Sequence, residues 1–183
     1  MNDERNELAL VVQKAVKSLP WCGDLALQKV VYLLQSVYNV ELGYEFGYHH
    51  MGPYSFDLSD DLSLGVENGD WTRESKPIAE GRYWVNQYHV KGAVEVSDAH
   101  AKKVDSALSK MLEQFQLQTD RVDGRRFELV ATIHYLRNVQ EVPEDELCQV
   151  LRALKPKYTV AEFEEGKKQL SLLEKSAKEL AKA

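Results

Sequence analysis

Two stretches near the start of the chain have the apolar spacing of amphipathic helices. In each stretch, apolar residues recur every three or four positions and so fall on one helix face. The two stripes are Leu8, Val11, Val12, Ala15 and Leu19, and then Leu27, Val30, Val31, Leu34 and Tyr38. Residues 44–49 instead alternate aromatic with small or polar side chains. This alternation predicts a half-buried strand, which Gly52 and Pro53 are expected to end.

A third helix and a β-hairpin are predicted next. Ser55 is a favourable N-cap, and apolar residues continue at helical spacing as far as an Asn-Gly stop, so we expect a helix at residues 55–67. Extended segments follow at residues 71–74 and 82–90, separated by Pro and Gly, and they are expected to pair. Three helices followed by a hairpin are the element order of a winged helix, in which the third helix reads DNA.

The second half of the chain has a helical period throughout. We take the change of pattern as a boundary between a winged-helix-like subdomain, residues 1–95, and a helical subdomain, residues 96–183, that packs on it. The helix predicted at residues 125–138 is apolar around nearly its whole circumference, so we expect it to be buried at the centre. Thr159 and Glu162 form a capping box that opens the last helix. The predicted fold class is mainly α with a small β-hairpin (α+β).

Three segments carry a resemblance to a known family. They are LQKVVYLLQ at residues 27–35, MGPYSFDL at residues 51–58 and FELVATIHYL at residues 127–136. Together they resemble the YwgA family of bacterial proteins over most of the chain. Over about the first ninety residues the chain also resembles phage-associated proteins of the SocA or Panacea type. The resemblance implies a winged-helix-like, α-rich fold without an established reaction, and antitoxin or protease-adaptor roles carried by protein–protein contact.

Composition places the chain among globular proteins and excludes several classes. Of its 183 residues, 44% are hydrophobic and 28% are charged, which is enough apolar material for a core. No apolar run approaches the roughly 20 residues that cross a bilayer, and the first residues are acidic, unlike a signal peptide. Cys22 and Cys148 are too far apart for a zinc ribbon and too few for a disulfide framework. We expect a cytoplasmic protein with no membrane partner.

The charge pattern argues against DNA binding by the third helix. From Val30 to Trp71 the chain has no Lys or Arg, although it has many acidic residues. They are Glu41, Glu45, Asp57, Asp60, Asp61, Glu67 and Asp70. DNA-binding proteins neutralise phosphates with Lys and Arg, so this helix should not enter a major groove. A simpler alternative stays open, in which the acids only cap and solubilise the helix.

Other candidate chemistry depends on a few isolated residues. His49 and His50 suggest a catalytic or metal site, but adjacent residues on a strand point to opposite faces, so one ring at most is expected to serve, and no metal is predicted. Cys22 precedes a helix N-terminus, where the dipole favours a thiolate, but free cysteines are commonly buried and unreactive, so no nucleophile is predicted. His134 lies in the most apolar helix and is predicted to be a hydrogen-bonded core residue. The aspartates of the third helix lack evidence of a catalytic cleft.

The density of aromatic residues between Tyr32 and Trp71 exceeds what the local core needs, so some rings should reach the surface. We therefore expect a non-enzymatic regulatory protein, without cofactor or catalytic residues, whose partner is another protein with a basic surface. The predicted partner-binding residues are Tyr48, His49, His50, Tyr54, Asp57, Asp60 and Asp61. One alternative is a winged-helix transcription regulator that uses its wing or the region of Arg121, Arg125 and Arg126. Another is an enzyme that uses His49 or His50. A homodimer also stays open.

Overall fold

The structure, a computed structural model, describes residues 3–19, 22–78, 83–90, 99–116 and 124–182. These residues form a mainly α fold with two small antiparallel β-hairpins, which confirms the predicted α+β class. The helices are α1 (Asp3–Ser18), α2 (Asp24–Ser36), α3 (Phe56–Asn68), α4 (Ala99–Gln116), α5 (Gly124–Asn138), α6 (Leu147–Leu154) and α7 (Val160–Leu180). The strands are β1 (Gly47–His49), β2 (Gly52–Tyr54), β3 (Trp71–Ile78) and β4 (Tyr83–Val90). No helix in these ranges is long and apolar enough to span a bilayer.

Helix α3 begins and ends where its capping residues predict. The Ser55 side chain accepts a hydrogen bond from the Leu58 backbone N–H, and Gly69 adopts a left-handed conformation with φ of 78°. The helix buries its apolar stripe, and Trp71 lies against it. The Trp71 indole is buried over Gly65 and donates from Nε1 to the Leu62 carbonyl oxygen at 2.9 Å. Gly65 is therefore required by packing, because the ring occupies the space of a side chain.

The strand predicted at residues 44–49 is shorter than expected and belongs to a hairpin that the sequence did not predict. Only residues 47–49 are extended, and Gly52 and Pro53 do not simply end the strand but form its antiparallel partner. Gly52 has φ of 89°, a left-handed backbone conformation that favours glycine. A Cβ atom at Gly52 would lie 2.7 Å from the Thr132 Oγ1 atom, so only glycine allows the hairpin to approach α5 this closely.

The second hairpin docks on the beginning of α2. Its first strand is longer than predicted, whereas residue 82, the predicted start of its second strand, lies outside the described residues. The carboxylate of Asp24 accepts hydrogen bonds from Asn86 Nδ2 at 2.5 Å and from the Tyr88 hydroxyl. A Cβ atom at Gly23 would lie 2.2 Å from the Asn86 carbonyl oxygen, so the hairpin backbone contacts the N-cap of α2 directly.

Helix α5 is the buried centre of the molecule, as its uniform apolarity predicts. Every residue from 127 to 136 is buried, and α5 packs against α2, α6, α7 and β2. Helix α1 packs against α4, and the capping box of Thr159 and Glu162 opens α7. Buried residues from both halves of the chain belong to one hydrophobic cluster. The predicted boundary between residues 95 and 96 lies outside the described residues and stays a prediction.

His134 is a hydrogen-bonded core residue, as predicted. Its Nδ1 atom is 2.8 Å from the Tyr32 hydroxyl and its Nε2 atom is 3.0 Å from Asn138 Nδ2. Burial, with a further contribution from Arg137, lowers the pKa of His134 to about 4. The imidazole is therefore neutral in the folded protein at physiological pH.

We expect acid to destabilise the fold through His134. The pKa of His134 is about 6.5 in the unfolded chain and about 4 in the folded chain. Between these two pH values the unfolded chain binds a proton that the folded chain does not bind. The free energy of unfolding therefore falls by about 3 kcal/mol as the pH falls from 7 to 4. Urea unfolding from pH 7 to pH 4 measures this slope, which should be flatter in His134→Gln. His89→Gln, on the exposed face of β4, is the control. Parallel curves for all three proteins would contradict this assignment.

Candidate protein-binding surface

A groove of about 390 Å³ lies beside the first hairpin and is open to solvent. We call it the aromatic groove, and we define it by four of the rings that line it and by its two acidic residues. They are Tyr48, His49, Tyr54 and Phe56, with Glu45 and Asp57. The groove is thus formed by the hairpin and the first turn of α3.

Three rings of the aromatic groove, those of His49, Tyr54 and Phe56, make a continuous row. The centroids of His49 and Tyr54 are 5.1 Å apart, and those of Tyr54 and Phe56 are 5.2 Å apart in an edge-to-face arrangement. The strand register explains the first contact. His49 pairs with Gly52, which has no side chain, so the imidazole meets the diagonal neighbour Tyr54 instead.

Two of the rings expose unusual apolar area. Phe56 is 73% exposed and Tyr48 is 38% exposed. Phe56 was not among the predicted site residues, although the sequence contains a sign of its exposure. It precedes the buried Leu58 by two positions and therefore falls on the opposite side of α3. An exposed aromatic ring beside other rings is typical of an interaction surface.

The two adjacent histidines do not point to opposite faces, so that prediction was wrong. Their ring centroids are 4.0 Å apart. The reason is that β1 ends at His49, and His50 already belongs to the turn. The Nδ1 atom of His49 is buried and has no hydrogen-bond partner among the described residues. Burial, and then the neighbouring charges of His50, Lys29 and Lys155, lower the pKa of His49.

Exposed acidic side chains line the aromatic groove and continue along α3. Asp57, Asp60 and Asp61 are all exposed, and Glu41, Glu45 and Glu67 are exposed as well. Asp61 accepts a hydrogen bond from the Tyr44 hydroxyl at 2.9 Å. Asp57 lines the groove, whereas Asp60 and Asp61 lie about one turn further along α3. The structure therefore places the predicted acids on one surface, but only the first of the three belongs to the groove.

Side chains from distant parts of the chain form hydrogen bonds with the backbone of the first hairpin and of the α3 N-cap. Lys29 Nζ donates to the Pro53 carbonyl oxygen, and Lys155 Nζ donates to the His50 carbonyl oxygen, each at 2.7 Å. Gln28 exchanges two hydrogen bonds of 2.8 Å with the backbone of Ser55. These contacts hold both the hairpin and the beginning of α3.

The lysines surround one buried carboxylate, and sequence reasoning missed this group. Glu128 accepts hydrogen bonds from Lys155 at 2.5 Å and from Lys157 at 2.7 Å. Burial raises the pKa of Glu128, but the two lysine hydrogen bonds outweigh it, so the pKa lies below its ordinary value. We call Lys29, Lys155, Lys157 and Glu128 the lysine cluster. In the sequence, this cluster is indicated only by Lys29 and Glu128, each of which is a charged residue within an apolar helix segment.

No protein-family model and no curated protein matches the chain. The resemblance to the YwgA family therefore stays a prediction. So do the antitoxin and adaptor roles that the resemblance implies.

The arginines of the nucleic-acid alternative make contacts within the chain. Arg125 donates to Glu162 at 2.9 Å and to the Lys157 carbonyl oxygen at 2.5 Å, and its guanidinium lies 4.7 Å from the centroid of Tyr158. Arg126 donates to Gln169 at 2.9 Å. Arg121 lies outside the described residues. The alternative of DNA binding through these arginines stays a prediction.

Cys22 does not have the environment of a reactive thiolate. It is buried, and burial, with a contribution from Asp24, raises the pKa of its thiol to about 12. The thiol therefore stays protonated at neutral pH, which contradicts the expectation based on the helix dipole alone, because burial outweighs the dipole. Within the ranges that the structure describes, no group of three or more His, Cys, Asp or Glu side chains has a metal-binding arrangement.

Proposed function

We propose that this chain is a non-enzymatic regulatory protein that binds another protein through the aromatic groove. The partner presents an apolar side chain flanked by Lys or Arg. The exposure of Phe56, at the end of a row of rings, is the observation that carries the proposal. Aromatic anchors contribute most to protein interfaces, and the surrounding acids complement a basic partner and accelerate its association.

The rigid attachment of the groove supports the same proposal. A binding surface that is already ordered loses less conformational entropy when its partner docks. Gln28, Lys29 and Lys155 fix the backbone on both sides of the turn and at the N-cap of α3. Antitoxin-like neutralisation or adaptor activity in the cytoplasm is the most concrete version of this function, and it rests on the family resemblance.

The test selects peptides from a random displayed library on the immobilised full chain. We expect the selected peptides to contain Lys or Arg beside an aromatic or aliphatic residue. Phe56→Ala should weaken their binding about tenfold or more, because the ring is the anchor. Leu64→Ala, at another exposed apolar position of α3, is the matched control and should bind like the wild type. Fluorescence titration measures both dissociation constants.

Charge and salt provide the second half of this test. Replacing Asp57 and Asp60 together by Asn should weaken binding further, and added salt should weaken the wild type more than this double variant. Selection of acidic peptides, or equal losses for Phe56→Ala and Leu64→Ala, would contradict the proposal. Tight and steeply salt-dependent binding of duplex DNA in a gel-shift titration would favour the transcription-regulator alternative instead.

A further inference from the structure

A second cavity, separate from the aromatic groove, lies on the other side of the turn between β1 and β2. Its volume is about 430 Å³, which is in the range of small-molecule sites. The beginnings of α2 and α5 form its walls, and Asn86 of β4 closes one side. Leu25, Ala26 and Met51 supply apolar lining, while three cationic side chains supply charge. These cations are Lys29, Arg125 and Lys157.

Lys29 is the unusual member of this lining. Its side chain is on α2 and only 2% of the residue is exposed. Among the described residues, the Pro53 carbonyl oxygen is its one hydrogen-bond acceptor. No carboxylate in the described ranges lies within the 4.0 Å of an ion pair, because Glu128 is occupied by Lys155 and Lys157. Buried ammonium groups are ordinarily paired with an anion, so an anionic ligand would supply that pairing whenever the Lys29 amine is protonated.

The charge of the lining restricts which ligands the cavity suits. The carboxylates of Asp24 and Glu128 also line the cavity, so three positive charges face two negative charges when Lys29 is protonated. One excess positive charge suits a monoanion and disfavours a polyphosphate, which would meet two fixed carboxylates. The apolar wall suits an organic group attached to that anion.

We propose that this cavity binds a small organic carboxylate. The carboxylate group lies against Lys29 and Lys157, and the organic group contacts Leu25 and Met51. This site is distinct from the aromatic groove, and the inference does not depend on the proposed function.

The acid–base state of Lys29 gives the site a measurable signature. Burial lowers the pKa of Lys29 to about 7, with Glu128 opposing this effect and Lys155 adding to it. Titratable and charged groups face Lys29 from several elements. They are Asp24 on α2, His49 on β1, Arg125 and Glu128 on α5, and Lys155 and Lys157 after α6. A bound carboxylate favours the ammonium form, so binding at pH 8 should take up a proton.

The test compares benzoate with its neutral isostere benzamide on the full chain, by calorimetry and by NMR shifts of the cavity residues. We expect benzoate to bind at least tenfold more tightly than benzamide. Lys29→Met should abolish this difference while the protein stays folded, because an apolar isostere removes an unpaired buried charge. Lys157→Met should reduce the difference, and Lys168→Met, at an exposed site on α7, should leave it unchanged.

Proton uptake shows whether Lys29 contacts the ligand or has only a structural role. Calorimetry at pH 8 in two buffers of different ionisation enthalpy should show uptake by the wild type and none by Lys29→Met. Phe56→Ala should bind benzoate normally, so failure at one site is distinguishable from failure at the other. Equal binding of benzoate and benzamide, benzoate binding without proton uptake, or no benzoate binding up to its solubility limit would overturn the proposal.

Discussion

Replacing Glu128 by Gln should lower the free energy of unfolding by about 3–5 kcal/mol. The substitution preserves shape but removes the negative charge that faces Lys155 at 2.5 Å and Lys157 at 2.7 Å. Lys157 is partly exposed and can turn towards water, whereas Lys155 is buried and is left with an uncompensated charge. Urea unfolding followed by circular dichroism at pH 7 measures the loss.

A second substitution distinguishes this cause from a general disturbance of the core. Lys155→Met in the Glu128→Gln background should recover more than half of the loss, because no unpaired charge then remains at that position. The loss in the single variant should also shrink as pH rises, since burial lowers the pKa of Lys155 and the amine neutralises. Glu165→Gln, at an exposed ion pair of α7, should change stability by less than about 1 kcal/mol. Equal effects of Glu128→Gln and Glu165→Gln would contradict the prediction.

Gly65→Ala should destabilise the protein by about 2–3 kcal/mol, although alanine favours a helix more than glycine does. The added methyl group would lie 2.0 Å from Cζ2 of Trp71. The indole cannot easily move away, because it is buried and its Nε1 atom is bonded to the Leu62 carbonyl oxygen. Thermal and urea unfolding measure the change.

The control for this substitution is another Gly→Ala change in open space. A Cβ atom at Gly47 of β1 meets no atom within 4 Å, and its backbone conformation is accessible to alanine. Gly47→Ala should therefore change stability by no more than about 0.5 kcal/mol. If Gly65→Ala unfolds at the same urea concentration as Gly47→Ala, the packing of Trp71 against α3 is looser than the structure indicates.

The sequence predicts helix limits well where the cap is local. Ser55 bonds to a backbone group three positions away, and the capping box joins Thr159 to Glu162. The first hairpin was missed because its strands are three residues long and one contains proline, which usually ends a strand. Its position also depends on lysines that are 24 and 105 positions away in the chain. Periodicity cannot report such contacts.

The candidate surface was only partly predictable for the same reason. The charge pattern correctly predicts the exposed acids of α3, because a buried stripe at helical spacing defines the opposite face. The aromatic groove depends on Phe56 and on the register of the first hairpin. No local sequence pattern specifies that register. The lysine cluster joins residues from α2, α5 and the segment after α6, and each of them alone looks like an ordinary charged residue in a helix or loop.

The hydrogen bond from Lys29 to Pro53 survives titration of the amine. A primary amine keeps two hydrogens after it loses its proton, and it continues to donate to a carbonyl oxygen in either form. Lys29 can therefore change its charge while its hydrogen bond continues to hold the hairpin. Its amine can gain or lose a proton near neutral pH, while the rings of the aromatic groove on the same hairpin keep the arrangement that a partner protein would contact.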